Sequence, residues 1–445
     1  MIQPAAVPQL RRELGRWDLT AIGINQVIGG AVFAMPAALA AIVGHWSPVL
    51  IAGVGIASLL IAATFAEVSS RFDATGGPYL YTKAAFGRFA AFEVGWMQWF
   101  TRVASWASVI NVLVASLGFY WPVLTEGPAR AALMTGIIAA LAVINILGIK
   151  QSAWVVNALT IGKLLPLALF IVVGLTAVSP GALHLGPLPS APDLSRSALL
   201  LIFAFGGYEV IPLPAGEAKD PRRAVPFALI MTIVVITTVL LLAQIVAQGV
   251  LPGLAQSQTP LADASVLVMG ATGALIITLG AVMSTLGNNM GAVISGSRSL
   301  YALAEQGDIP AIFGRVTARF GTPAVAILFS SAVALFLAAT GSFVTMAQAS
   351  AISRLMVYVA TCASALRLRS PHFAGIVPAA QTVVPFGPVI PLAALTIALA
   401  ILFGATAAQL RAGGVALAAG AGLWVLTRVN STTPQLPTPN ERPKT

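Results

Sequence analysis

Lys163 stands inside an otherwise apolar run, Asn157-Ala-Leu-Thr-Ile-Gly-Lys163-Leu-Leu-Pro-Leu-Ala-Leu-Phe170. A charge in hydrocarbon costs several kcal/mol, so such a residue is rare and usually carries function. Burial lowers a lysine's proton affinity and nearby carbonyls raise it. The ammonium could therefore be a fixed pin or a group that releases a proton. Two glycine pairs, Gly29-Gly30 and Gly206-Gly207, interrupt other hydrophobic runs, with Pro36 after the first and Pro212 and Pro214 after the second. Paired glycines weaken a helix, and proline removes a donor and clashes with the preceding turn. Each segment is expected to unwind and bare its backbone. Around the first break, Ile28 to Ala31 would present N–H groups at the positive end of a half-helix. The amides of Gly29, Gly30 and Ala31 suit a carboxylate. Around the second break, the carbonyls of Phe203, Ala204 and Gly206 suit an ammonium. Together they would hold a zwitterion.

Composition fixes the solvent in which these groups work. Of 445 residues, 58% are hydrophobic and 9% charged, with mean hydropathy +0.91. Soluble domains carry about 25% charged residues, so this chain must use lipid as solvent. The lone Cys362 excludes a disulfide framework and reads as packing. His45, His184 and His372 sit in separate loops without metal-ligand spacing. No nucleotide-binding loop is visible, no cofactor is expected, and Met1–Leu10 lacks the apolar core of a cleavable signal.

The elements that must position these residues are hydrophobic spans of about 20 residues. Twelve are read at 19–43, 48–70, 91–119, 131–149, 153–178, 197–214, 225–249, 266–298, 323–340, 344–366, 386–405 and 412–428. With a cytoplasmic N-terminus, eighteen of the 24 Lys and Arg residues fall inside and only Arg130, Arg196 and Arg411 outside. The positive-inside rule supports that orientation, with both termini cytoplasmic. It also explains the net charge of +10, so nucleic acid is dropped as a partner. Arg102, Lys163 and Arg354 fall inside spans. The expected organisation is a cytoplasmic segment 1–18, spans one to five over 19–178, spans six to ten over 197–370, spans eleven and twelve over 386–428, and a disordered tail 431–445. Five spans separate the two breaks, and an odd repeat length inverts the second copy. Matching interrupted segments in two halves point to a transporter site between them.

Four stretches resemble amino acid permeases of the amino acid–polyamine–organocation superfamily. Ile28-Gly-Gly-Ala-Val-Phe33 with Met35-Pro36 is similar to the first-helix motif, although Gly30 replaces its Ser/Thr and Ala31 its last glycine. Ala66-Glu67 through Arg71-Phe72, Gly76-Gly77-Pro78-Tyr79 and Tyr81 resemble the second helix and first inner loop. Phe203-Ala-Phe-Gly-Gly-Tyr-Glu209, then Gly216-Glu-Ala-Lys219-Asp-Pro221, resemble the sixth helix and its loop. Ser297-Arg298 through Tyr301-Ala302 and Gly307 to Pro310, with Gly321-Thr322-Pro323, resemble the end of helix eight. The resemblance implies an all-α integral membrane protein of 12 transmembrane helices. It implies the leucine-transporter-type 5+5 inverted repeat with helices 1 and 6 broken. It also implies that the Phe203 ring is an outer gate, and that Lys163 occupies the position where sodium-coupled members hold their ion between helices one and eight.

The resulting expectation is a sodium-independent transporter of amino acids in the cell membrane, driven by protons or by exchange. Glu209, one turn past the second break, is a candidate to titrate or to pair with a basic group. Arg102 and Arg354 are expected to bind carbonyls or inner carboxylates such as Glu209 or Glu67. Asn25 and Trp106 line the pocket or pack helices. The rivals are a polyamine or organic-cation exchanger, for which Glu209 is the one acidic candidate, and an integral membrane enzyme or a channel.

Overall fold

The computed structural model describes residues 10–118, 121–179, 181, 184–340 and 343–429. The expected tail 431–445 and residues 1–9 of the expected N-terminal segment lie outside them. So do the side chains of Ala31 and Phe203, whose backbones are described. The helices in chain order are α1 (Arg16–Val27), α2 (Ala31–Val43), α3 (Ser47–Ser69), α4 (Pro78–Phe86), α5 (Arg88–Gly118) and α6 (Gly127–Leu147). They continue as α7 (Ile149–Leu175), α8 (Ala191–Phe205), α9 (Pro221–Val250), α10 (Pro260–Glu305), α11 (Ala324–Thr340), α12 (Phe343–Arg367), α13 (Val389–Phe403) and α14 (Ala407–Val429). No strand occurs among the described residues, and the only pairings of that kind are the isolated bridges Leu14–Ala218 and Ala374–Val377.

Among the described residues, six helical stretches are long and apolar enough to cross a bilayer: 32–69, 127–147, 149–175, 221–250, 260–305 and 409–427. A bilayer's hydrocarbon core is about 30 Å thick and an α-helix rises about 1.5 Å per residue. The 31 residues of α5 also exceed that length.

Helix α7 shows what lipid as solvent means. Ile161, Leu165, Leu169 and Val172 form an exposed apolar stripe. On the opposite face Val156, Thr160, Lys163, Leu167 and Phe170 are buried. Lys163 therefore points into the bundle. Against it lies α10, the longest helix at 46 residues, bent at Gly270. The two approach closely because small residues meet large ones. A methyl at Gly280 would stand 3.0 Å from Pro166, and one at Gly162 would collide with Met283.

Both interruptions fall at the glycine pairs. Span one ends its first half at Val27 and resumes at Ala31; Ile28, at φ −76° and ψ 86°, leaves the helix. Span six ends its α-helix at Phe205, and Gly207 takes φ +136°. Beyond that break the two segments differ. Span one resumes as α-helix, with Pro36 held inside α2, whereas span six continues as 3₁₀ turns, Tyr208–Val210 and Leu213–Glu217. Pro212 and Pro214 explain the difference, because neither can donate to a regular α-helical ladder.

Candidate functional site

The backbone of the second break rests on the first. A Cβ at Gly207 would lie 2.6 Å from the Gln26 carbonyl oxygen and 3.0 Å from the Val27 nitrogen. Only glycine combines that approach with a positive φ. The two unwound segments are thus packed together in the interior of the bundle.

On one side of the first break stands Lys163. Its fully buried ammonium donates to the Ile28 carbonyl at 2.7 Å, the Ser284 carbonyl at 3.2 Å and the Asn25 carbonyl at 3.4 Å. Ser284 Oγ also donates to Ile28 O at 2.7 Å. One cation therefore ties α7 to the broken span and to α10. The Ile28 amide donates to Ile24 at 2.8 Å and the Gly29 amide to Val27 at 2.9 Å. Both backbone groups of Ile28 are spent inside the protein, so it belongs to the lysine centre. The Gly30 amide has no protein acceptor among the described residues. Gly29 and Gly30 are half-exposed, whereas residues 19–28 before them are buried. Asn288 Nδ2 donates to the Gln26 carbonyl at 3.0 Å and steadies the turn.

On the other side lies a charged centre. Glu209 Oε1 takes a hydrogen bond from Arg102 Nη2 at 2.8 Å and pairs with Arg354 Nε at 2.9 Å. Glu209 Oε2 accepts from the Tyr358 hydroxyl and from the Gly207 amide, both at 2.8 Å. Arg102 Nη1 reaches Gln26 Oε1 at 3.2 Å, and Gln26 Nε2 donates to Asn288 O at 2.6 Å. Charged groups from α5 and α12 thus converge on the carboxylate that caps the second break. Gly206 has a steric reason as well, since a Cβ there would collide with the Arg354 guanidinium. Tyr208 and Tyr358 stack at 5.4 Å, with the Phe65 edge against both.

Of the residues singled out from the sequence, Ile28–Ala31, Lys163, Gly206 and Glu209 gather at this junction, with Ala204 buried in the last turn of α8. Phe203 is in that same turn, and its ring lies outside the described residues. Asn25 is a helix tie: Nδ2 donates to Val156 O at 2.8 Å and to Thr160 Oγ1. Trp106 is buried one turn beyond Arg102 on α5, and its indole N–H finds no partner among the described residues. Glu67, the alternative partner for the buried arginines, is held by Arg369 at 2.6 and 2.5 Å.

Sequence reasoning missed Gln26, Ser284 and Tyr358. Each is a polar group inside an apolar run, and Tyr358 follows Arg354 by one helical turn. It also missed how the loops beyond these helices are joined. Arg298 clasps Glu217 through two 2.8 Å bonds and meets Asn145 Oδ1 at 2.6 Å. The Glu217 carbonyl accepts from the Glu13 and Leu14 amides at 2.9 Å. Tyr79 in α4 and Arg88 at the start of α5 both bind Asp308, at 2.6 Å. Burial, and then the Asp308 charge, push the Tyr79 phenol above its usual range.

An all-α bundle with exposed apolar stripes and two helices broken against one another in its interior defines a multi-pass membrane protein of the transporter class. The chain belongs to the amino acid permease family, which it matches over residues 14–427. It is 31% identical over 379 residues to an uncharacterized transporter of Mycobacterium tuberculosis, covering 82% of this chain and 83% of the relative. It is 30% identical over 349 residues to a serine/threonine exchanger of Bacillus subtilis, covering 74% and 76%. A branched-chain amino acid permease of Bacillus subtilis is 27% identical over 385 residues, with 81% of each chain covered.

Proposed function

We propose that this protein is a secondary active transporter of amino acids that needs no sodium, runs on protons or by exchange, and works by alternating access. In this reading it has twelve spans, a 5+5 inverted repeat, and both termini in the cytoplasm. The observation that carries it is the Lys163 ammonium lodged between the carbonyls of Ile28 and Ser284. An ammonium held there removes the need for a metal cation from solution. Substrate sits at the junction of the breaks, its carboxylate on the amides of Gly29, Gly30 and Ala31. The unpartnered Gly30 amide supports that end. Its ammonium faces the carbonyls of Phe203, Ala204 and Gly206, with the Phe203 ring closing the outer side. Lys163 or Glu209 carries the coupling proton where protons drive the cycle.

The relatives that bear amino acid exchanger and permease names support the substrate class. An organic-cation exchanger is disfavoured, because Glu209, its one acidic candidate, already faces two arginines. The test is uptake of a panel of radiolabelled amino acids into proteoliposomes, with external sodium replaced by choline at fixed pH. Uptake should be unchanged. Its collapse without sodium would remove the role given to Lys163.

A further inference from the structure

A clamp joins the ends of α3 and α12 to the chain that leads into α13. Arg369, two residues past α12, forks onto Glu67 in the last turn of α3, at 2.6 and 2.5 Å. The Val384 amide donates to the same carboxylate at 2.9 Å. Ser70 Oγ accepts from the Gln381 and Thr382 amides at 3.0 and 3.1 Å, and Arg71 Nη1 donates to the Pro378 carbonyl at 3.1 Å. The clamped segment walls a cavity of about 540 Å³. Its ionisable lining is Arg71, Arg369 and Glu67, two cations and one anion. Glu67 is spent, because Arg369 takes both of its oxygens. The half-buried Arg71 forms no ion pair among the described residues, and the charged groups near it are Glu67 and Arg369. Asp73, two residues on, is exposed and not among them. Arg71 Nε and Nη2 and Arg369 Nη1 have no acceptor among the described residues. The rim is apolar. Val383, part of the lining, is 69% exposed, and Ile376, between the lining residues Gly375 and Val377, is 68% exposed.

From this geometry we infer that the cavity binds an anionic phospholipid, its phosphate between Arg71 and Arg369 and an acyl chain against Val383 and Ile376. Guanidinium forks match phosphate oxygens, and basic pockets between transmembrane helices take anionic headgroups. Two bilayer-spanning segments end here, so the rim meets lipid at headgroup depth. A soluble anion would answer the charge and leave the apolar rim in water. A zwitterionic lipid brings its own cation and leaves the surplus in place, whereas a phosphatidylglycerol headgroup carries one net negative charge and cancels it. The bound lipid would bridge the ends of α3 and α12 and brace them. The site is separate from the junction of the breaks and does not depend on which substrate that junction takes.

The test uses the full chain in a neutral detergent. It is titrated with phosphatidylglycerol and phosphatidylcholine of the same acyl chains, and separately with inorganic phosphate and glycerol 3-phosphate. Retained lipid is counted by native mass spectrometry, and thermal unfolding is followed in parallel. Phosphatidylglycerol should bind at least about tenfold more tightly than phosphatidylcholine and raise the unfolding temperature. Arg71→Gln leaves the Glu67–Arg369 pair and the Ser70 bonds in place, and should cost phosphatidylglycerol about tenfold or more in affinity while phosphatidylcholine holds. Arg71→Lys should keep part of the preference. Val383→Asp touches none of the clamp's hydrogen bonds and puts a carboxylate at the rim. It should weaken phosphatidylglycerol about tenfold as well, and it carries the test if Arg71→Gln fails to fold. Equal retention of the two lipids by the wild type would overturn the inference. So would unchanged phosphatidylglycerol affinity in Arg71→Gln or in Val383→Asp. Inorganic phosphate or glycerol 3-phosphate that stabilises the wild type as much as phosphatidylglycerol, and loses that effect in Arg71→Gln, would assign the cavity to a soluble anion and overturn the lipid.

Discussion

Replacing Lys163 by Met keeps most of the length of the side chain, one atom short, and removes its charge and donors. The two shorter bonds, to Ile28 O at 2.7 Å and Ser284 O at 3.2 Å, are the ones at stake. Hydrogen bonds from a charged donor contribute about 1.5–3 kcal/mol each, so the pair amounts to about 3–6 kcal/mol. Against that stands the desolvation of a buried ammonium, several kcal/mol. The net contribution to holding the broken span against α10 is on the order of 1–2 kcal/mol. That is about a tenfold change or more in the population of the assembled site. Ser284 Oγ still occupies the Ile28 carbonyl in the variant, so the break itself should persist. Lys163→Met should therefore insert, stay monodisperse and lose net amino acid uptake by about tenfold or more. Uptake by the wild-type protein should be indifferent to sodium. The assay is initial-rate uptake in proteoliposomes under an imposed pH gradient, with thermal unfolding in detergent measured in parallel. Wild-type uptake and wild-type pH dependence in Lys163→Met would refute the reasoning, since the bonds would then be decoration.

Three further outcomes follow from the breaks. At Gly30 a Cβ meets Thr285 Oγ1 at an ordinary 3.5 Å and the backbone is right-handed at φ −59°, so Gly30→Ala should fold normally. The β-branched Gly30→Val should fold yet lose substrate binding by calorimetry, and full affinity there would move the site off span one. Gly207→Ala must hold φ +136° and press a methyl 2.6 Å from Gln26 O, so it should lose about 1–3 kcal/mol of stability, read as a fall in the unfolding temperature. An unchanged unfolding temperature would mean that the two breaks are not packed as described. Phe203→Ala should weaken substrate binding about tenfold, about 1.4 kcal/mol, with Phe203→Trp near wild type in affinity. Unchanged affinity and turnover in Phe203→Ala would withdraw the gate.

The apolar runs, the positions of both breaks and the isolation of Lys163 were legible because each is a local property of the chain. Hydrocarbon demands continuous apolar helix, so every glycine pair, proline or charge within a run stands out. The residues Ile28–Ala31, Gly206 and Lys163 could be named on that ground alone. What a charge meets across the bundle is not local. Lys163 meets Ile28 and Ser284 because Gly162 and Gly280 let α7 and α10 close. Glu209 could have faced substrate, titrated or paired; the packing of α5 and α12 against the second break gave it two arginines and a tyrosine. Asn25 reads equally as pocket or packing until α7 supplies Val156 and Thr160 as its acceptors. The 3₁₀ path after Gly207 was foreshadowed by Pro212 and Pro214, but its course to Glu217 depends on Arg298 and on the Leu14 backbone. Helix breaks are decided within a few residues of chain by backbone strain and missing donors. Partners of buried charge are decided by which helices touch, and that only the tertiary structure determines.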